Sequence, residues 1–229
     1  MSGEQTDGYA FDDGLPIEPI DPGSTVLVAG PAFSPAEAVV RSLVMGGTSV
    51  EDGSLFISTS MTSEKLLKAC RRTNPSLDTT LTGIIDCSGQ EPKPSEIDAE
   101  VKYVSTQSDL TGIGMKFSAL YESLYADAVD GRVRTGLISL SSLAMYVDLR
   151  KLFRFAQTLA GRIDSAGGLG VFAIDPTTHD ERTVNTLGQV ADGRIEVREY
   201  DGDDEAIDGE LRVQGLPAQP SGWQPFSLS

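Results

Sequence analysis

The stretch that decides the fold is GSTVLVAGPAFSPAEAVV, residues 23–40. Its first half is a short apolar run closed by Gly23 and Gly30, the signature of a buried strand. Its second half opens a helix that continues to Met45. Ser34 is placed to cap it, Pro35 takes the first helical position, Glu37 stands in the first turn, and Gly46 and Gly47 end it. Strand, glycine, loop and helix together form the setting of a phosphate loop, whose pattern is G-x-x-x-x-G-K-[ST]. Gly30 occupies the first glycine. Pro35 then falls on the second glycine, Ala36 on the lysine and Glu37 on the hydroxyl residue. Each change acts against a phosphate. Pro35 has no N–H to give, and Ala36 brings no charge. Glu37 sets a carboxylate where the anion would sit. At 4 Å two like charges repel by about 1 kcal/mol in water and about 4 kcal/mol at an effective dielectric of 20. Two readings follow: a capped helix without ligand, or a reduced nucleotide site built on Gly30, Pro31 and Ser34.

Outward from this stretch, strands and helices alternate. GSLFIST (53–59), LTGIIDCSG (81–89), RTGLISL (134–140) and LGVFAID (169–175) read as strands, with VKYVS (101–105) as a shorter one. TSEKLLKACRR (62–72) and the segment from Gly114 read as helices. The clearest helix is DLRKLFRFAQTLAGRI, where Leu149, Leu152, Phe153, Ala156, Leu159, Ala160 and Ile163 recur at spacings of three and four. A short helix, DERTVNTLGQV, precedes two strands joined by an acidic turn at residues 201–205, a hairpin. This order predicts an α/β domain with a mostly parallel sheet and an antiparallel C-terminal edge. Residues 1–22 read as a flexible acidic leader, 23–216 as one domain, and 217–229 as a Pro-rich, irregular tail packing on it.

Composition narrows the function. The 229 residues carry 34 Asp and Glu against 18 Lys and Arg, a net charge of −16. That field opposes nucleic acid. No apolar run is long enough to span a membrane. Only 6 of the 18 bases are Lys. Acid excess with scarce lysine suits a cytoplasm of molar salt, where the Debye length falls to about 3 Å, and so predicts a cytoplasmic protein of a halophilic archaeon. The single histidine, His179, limits imidazole-dependent catalysis and the usual zinc sites. Asp175, Asp180 and Glu181 surround it in DPTTHDER, a weak metal pattern whose simpler reading is a capped loop and helix start. Acids 201–205 lack the spacing of a calcium loop. Gly112 and Gly114, beside Thr111, read as an anion nest or as a simple turn. Arg150, Lys151, Arg154 and Arg162 read as a basic stripe opposite the apolar face of their helix, a docking surface for an acidic partner or a solvated face. Trp223 and Phe226 read as anchors of the tail.

The pattern resembles the RecA/KaiC-like ATPase superfamily, in particular its haloarchaeal members of uncharacterised function with degenerate Walker motifs. STVLVAGP is similar to the first strand and loop of KaiC-like domains, and GSLFISTSMTSEKLL to the second strand and its helix. SLSSLAMYVDLRKLFRFAQTLAGRI is similar to the end of the Walker B strand and the helix after it. The segment GLGVFAIDPTTHDERTVNTLGQVADGRIEVRE is similar to the late strand, helix and hairpin of such domains. The resemblance runs from Gly23 to Phe226 and implies a RecA-like three-layer sandwich. It also implies a catalytic glutamate pair after the second strand, where Ser60 and Met61 stand. It implies a magnesium-positioning Asp at the Walker B end, where Ile138 stands, followed by Ser139. With lysine, hydroxyl, general base and metal carboxylate all replaced, nothing is left to stabilise a phosphoryl group in transfer or to activate water. The expectation is a non-catalytic module, not an enzyme, without cofactor or metal, acting through protein contacts in regulation. Its partner would be a RecA/KaiC-like paralogue, another protein or a second copy. Two alternatives stay open: a domain that binds nucleotide without efficient hydrolysis through Gly30, Pro31, Ser34 and Thr111, or a recombination accessory protein.

Overall fold

The computed structural model describes residues 8–46, 51–90 and 99–228. A nine-stranded sheet runs through the molecule. Its strands are β1 (Thr25–Ala29), β2 (Gly53–Ser58), β3 (Thr82–Asp86), β4 (Glu100–Tyr103), β5 (Val133–Leu137), β6 (Leu169–Ile174), β7 (Gly193–Arg198), β8 (Gly209–Gln214) and β9 (Gln224–Phe226). Their order across the sheet is β4-β3-β2-β5-β6-β1-β7-β8-β9. All pairings from β4 to β7 are parallel. The β7–β8 and β8–β9 pairings are antiparallel.

Parallel strands need both faces covered, and alternate side chains of β1 show how that is met. Val26 and Val28 enter one core with α1 (Ala36–Met45) and α2 (Ser63–Thr73). Leu27 and Ala29 enter the other with α3 (Leu110–Asp127), α5 (Leu149–Ser165) and α6 (Glu181–Gly188). The result is helix, sheet, helix: a three-layer α/β sandwich. The expected apolar face of the fifth helix is the buried one, with Leu152, Ala156, Leu159 and Ile163 inside.

Four local differences from the sequence reading have physical causes. Helix α3 begins at Leu110, not Gly114, because Asp109 accepts the amide of Gly112 at 2.8 Å and starts the helix a turn early. A short α4 (Leu140–Ala144) follows β5, capped by the Ser139 hydroxyl. In the tail, β9 forms against β8 although it holds Pro225, which an edge strand tolerates. The leader is corrected for residues 8–22, which are packed rather than flexible. Tyr9, Leu15, Ile17 and Ile20 are buried, Tyr9 and Ile20 form a bridge, and the Tyr9 hydroxyl donates to Gly167 O at 3.0 Å.

What holds that segment is a buried charge cluster at the base of the sheet. Arg134, 1 % exposed, donates from Nε to Asp52 at 2.7 Å, from Nη1 to Leu43 O at 3.1 Å and from Nη2 to Ala10 O at 2.9 Å. Arg132 meets the other oxygen of Asp52 at 3.1 Å and lies 4.1 Å over the Tyr9 ring. Gly46 closes α1 at φ 65°, and any Cβ there would press within 2.9 Å of the Arg134 guanidinium carbon. Opposite this base, at the C-terminal ends of the parallel strands, lies the region where α/β sheets hold their ligands.

Candidate functional site

At that end Gly30 leaves β1, its amide bonded to Ile174 O at 3.2 Å. A Cβ on Gly30 would come within 2.6 Å of the Ala36 side chain and 3.0 Å of Val197 O, so the turn requires glycine for close packing. Residues 31–35 then fold on themselves. Ser34 donates from both its amide and its hydroxyl to Pro31 O, at 3.1 and 2.7 Å. Ser34 was expected to cap α1, but its Oγ reaches the Ala36 amide only at 3.4 Å, and the residue flanking the helix is Pro35, which makes no side-chain cap.

The amide of Ala32 in this loop is already used. Ala32 N donates to Asp175 Oδ2 at 3.0 Å. The other oxygen of Asp175 accepts the amide and hydroxyl of Thr177 at 2.8 and 2.7 Å. The Asp175 amide in turn donates to Ser141 Oγ at 3.0 Å, tying the end of β6 to α4. A carboxylate of the chain itself thus engages the loop, in the way an anion would engage a phosphate loop.

The cleft above the loop measures about 570 Å³. It brings together Gly30, Pro31 and Ser34 with Ser60, Ile138 and Ser139, residues far apart in sequence. Met61 turns away, packed against the α1–α2 core. Thr111 is not part of this cleft. It lines a separate groove of about 920 Å³ between α3 and α5, so it is removed from the nucleotide site. No Lys or Arg lines the cleft among the described residues, whereas Glu37, Asp175 and His179 do. Desolvation raises the Glu37 pKa, and Arg41 at 3.9 Å opposes the shift only weakly. An incoming polyphosphate would meet two carboxylates and no side-chain cation. His179 is half-buried with Nε2 lacking a partner, and among the described residues no three His, Cys, Asp or Glu side chains gather as a metal site.

The expected anion nest at Gly112 and Gly114 is not formed. Both glycines lie inside α3, and Asp109 already holds the free amide. The basic stripe is divided as well. At about 100° per residue, Arg150 and Arg162 point about 120° apart. Arg162 leans on α3, bonded to Ser118 Oγ and, at 3.3 Å, to Gly114 O. Arg150 faces α6 beside Arg182. Lys151 pairs with Asp148 at 3.2 Å. Arg154 borders both grooves and has no acid within 4 Å among the described residues. Trp223 is stacked by Arg198 at 4.1 Å and Arg212 at 4.9 Å, and Phe226 is buried.

Two features went unread in the sequence. Asp175 caps its own turn at Thr177, the capped-loop reading of DPTTHDER, and its second oxygen also accepts the loop amide of Ala32, 143 residues away, which no local pattern shows. Phe33 is wholly exposed at φ 70°, and no residue pattern marks a strained aromatic on a loop.

The layer order, the sheet order and a cleft at the end of the first strand define a RecA/KaiC-like fold. A solved structure, the KaiC-like protein PH0186 from the hyperthermophilic archaeon Pyrococcus horikoshii OT3, is similar with a TM-score of 0.64 and 15% identity, over 97% of this chain and 94% of that one. It is one of 591 solved chains that match, so the fold by itself is too widespread to assign a function. At family level the chain belongs to the family of unknown function DUF7504, whose model matches residues 23–197. No curated protein matches the sequence. Among the described residues no helix is long and apolar enough to cross a membrane.

Proposed function

We propose that this chain is a RecA/KaiC-like module with degenerate Walker motifs that no longer turns over ATP and acts through protein contacts, in a regulatory role in a high-salt archaeal cytoplasm. The observation that carries the reading is the bond from Ala32 N to Asp175, the loop amide being occupied by an internal anion. Pro35, Ala36 and Glu37 at the loop-to-helix junction support it, as do Ser60 and Ile138 where the family's acids stand. Phosphoryl transfer is catalysed almost wholly by positioning and by positive charge on the transferred group, and among the described residues this cleft offers no Lys or Arg, while the Asp175 carboxylate is engaged by the Ala32 and Thr177 amides. What remains is a three-layer scaffold with an open cleft at the end of its first strand.

Thermal unfolding in about 2 M KCl, with and without millimolar Mg-ATP, tests the reading. A ligand present at 100 times its dissociation constant adds about 2.7 kcal/mol. No shift and no phosphate release are expected. A clear shift without release would move the chain to the nucleotide-binding alternative, and release would overturn the reading.

A further inference from the structure

Most arginines of this acidic chain are accounted for inside it. Arg41, Arg132, Arg134, Arg194, Arg198 and Arg212 each meet an Asp or Glu. Arg162 is bonded to α3. Arg71 and Arg72 stand in the last turn of α2, where the carbonyl end of a helix favours cations. Arg150, Arg154 and Arg182 are left. All three are exposed, and all three line one groove of about 760 Å³ between α5 and α6. None has an acid within 4 Å among the described residues, in a chain that carries 34 Asp and Glu.

Their placement works against the free chain. Arg150 and Lys151 occupy the first turn of α5, and Arg182 the first turn of α6. The N-terminal end of a helix carries partial positive charge, so stability favours acids there and not cations. The acids nearby are engaged elsewhere. Asp148, which lines the groove, is held by Lys151 at 3.2 Å and caps no amide of α5. Asp180 and Glu181 open α6 outside the lining, and Asp180 accepts the Thr183 amide at 2.8 Å. On the α3 side of Arg154, Asp109 accepts the Gly112 amide at 2.8 Å. Between the arginines the floor is apolar, made by Leu149 and Phe153, which are half-buried against the α3–α5–α6 core. Residues that break a local stability rule without gain to the fold mark a surface with another use.

We infer that the α5–α6 groove docks an acidic segment of another protein, with carboxylates one helical turn apart and apolar side chains laid on Leu149 and Phe153. Arg150 and Arg154 are separated by about 6 Å along the helix axis, the spacing at which acids recur on one face of a helix. Arg182 faces the segment from the opposite wall. A guanidinium holds a carboxylate by two parallel hydrogen bonds. Such contact pairs persist in molar salt, which screens attraction beyond about 3 Å. A bare phosphate would leave Phe153 uncovered. A nucleic acid would run past the groove onto a surface of net charge −16. The inference rests on the reading of this chain as a module that works through protein contacts, and names the kind of partner.

The test uses the full chain in about 2 M KCl and follows a fluorescein-labelled synthetic peptide by anisotropy. The peptide has about sixteen residues, enough to form a helix, with Glu at every fourth position and Leu beside each Glu. Saturable binding of one peptide per chain is expected, at least tenfold tighter than for a peptide of the same composition with its Glu residues consecutive. Arg150→Glu with Arg182→Glu should weaken binding at least tenfold. The same double variant should keep or raise Tm, because an acid suits both helix starts. A lower Tm would mark these arginines as structural and overturn the proposal. No saturable binding, equal binding of the consecutive-Glu peptide, or a double variant that binds like the wild type would each overturn it too. So would displacement of the peptide by inorganic triphosphate, the mark of a plain anion site, or tighter binding of a DNA duplex. These outcomes leave the nucleotide test untouched. An Mg-ATP shift would instead fail the functional reading even where the peptide binds.

Discussion

Replacing Arg134 by Met removes the centre of the charge cluster while keeping most of the side chain's length. Three hydrogen bonds go, to Asp52, Leu43 O and Ala10 O, all on a side chain that is 1 % exposed. Removing one partner of a buried pair costs about 3–5 kcal/mol, because the other charge is left behind. Asp52 retains Arg132 at 3.1 Å, a partner with a quarter of its side chain in water. That places the loss at the lower end, about 3 kcal/mol. For a domain of this size each kcal/mol moves Tm by about 2–4 °C, so the midpoint falls by about 6–12 °C. Urea unfolding supplies the free energy, with the slope unchanged where only stability has altered. Hydrogen exchange supplies the location. The Tyr9 amide, bonded to Ile20 O at 2.7 Å, should exchange faster because Ala10 O has lost its donor. A loss below about 1 kcal/mol, the range of surface pairs, would refute the reasoning that this cluster holds residues 8–20 to the sheet.

Other outcomes follow from the same physics. Phe33→Gly relieves a left-handed backbone penalty of about 1–2 kcal/mol and incurs glycine's entropy of roughly 0.5–1. The dilute protein should therefore gain about 0.5–1 kcal/mol, and a lower Tm would contradict the strain. Burial pushes the Tyr9 hydroxyl up to about 12, above the ordinary 10.0. The unfolded chain then ionises first, and the contribution present below pH 10 is lost as pH rises towards 12. That loss is at most roughly 3 kcal/mol over two pH units. Tyr9→Phe should flatten this alkaline decline, and an unchanged urea midpoint profile between pH 9 and 11 would count against it. Burial also raises the Cys70 and Cys87 thiols to about 12. Neither should react with a thiol reagent at pH 8 until the protein unfolds, so rapid labelling of native protein would disprove that burial.

Most of the fold is visible in the sequence because strands and helices leave periodic traces. The apolar runs at 25–29 and 169–174 and the threes and fours of α5 announce local structure. What is hidden is either short or distant. Helix α4 has five residues, too few for a period, and is specified by the Ser139 hydroxyl. The buried residues of 8–20 are broken by prolines and follow no repeat, since they fit the contours of a finished surface. Asp52 and Arg134 are 82 positions apart, and Ala32 and Asp175 are 143 apart. The cleft divides in the same way. Gly30, Ser60 and Ser139 meet because parallel strands end side by side, which the strand alternation implies. Thr111 was misplaced because glycines at 112 and 114 look like a turn, while one carboxylate, Asp109, turns them into a helix.

The central claim is that the phosphate-loop position is closed by the chain's own carboxylates. Equilibrium dialysis of labelled ATP with magnesium against the full chain, in about 2 M KCl and up to about 1 mM nucleotide, tests it most directly. A site weaker than 1 mM holds its ligand by less than about 4.1 kcal/mol. No nucleotide should be retained over this range, and the same holds for Asp175→Asn, since Glu37 and the missing lysine still oppose phosphate. Retention approaching one nucleotide per chain, lost on mutating Ser34 or Gly30, would contradict it.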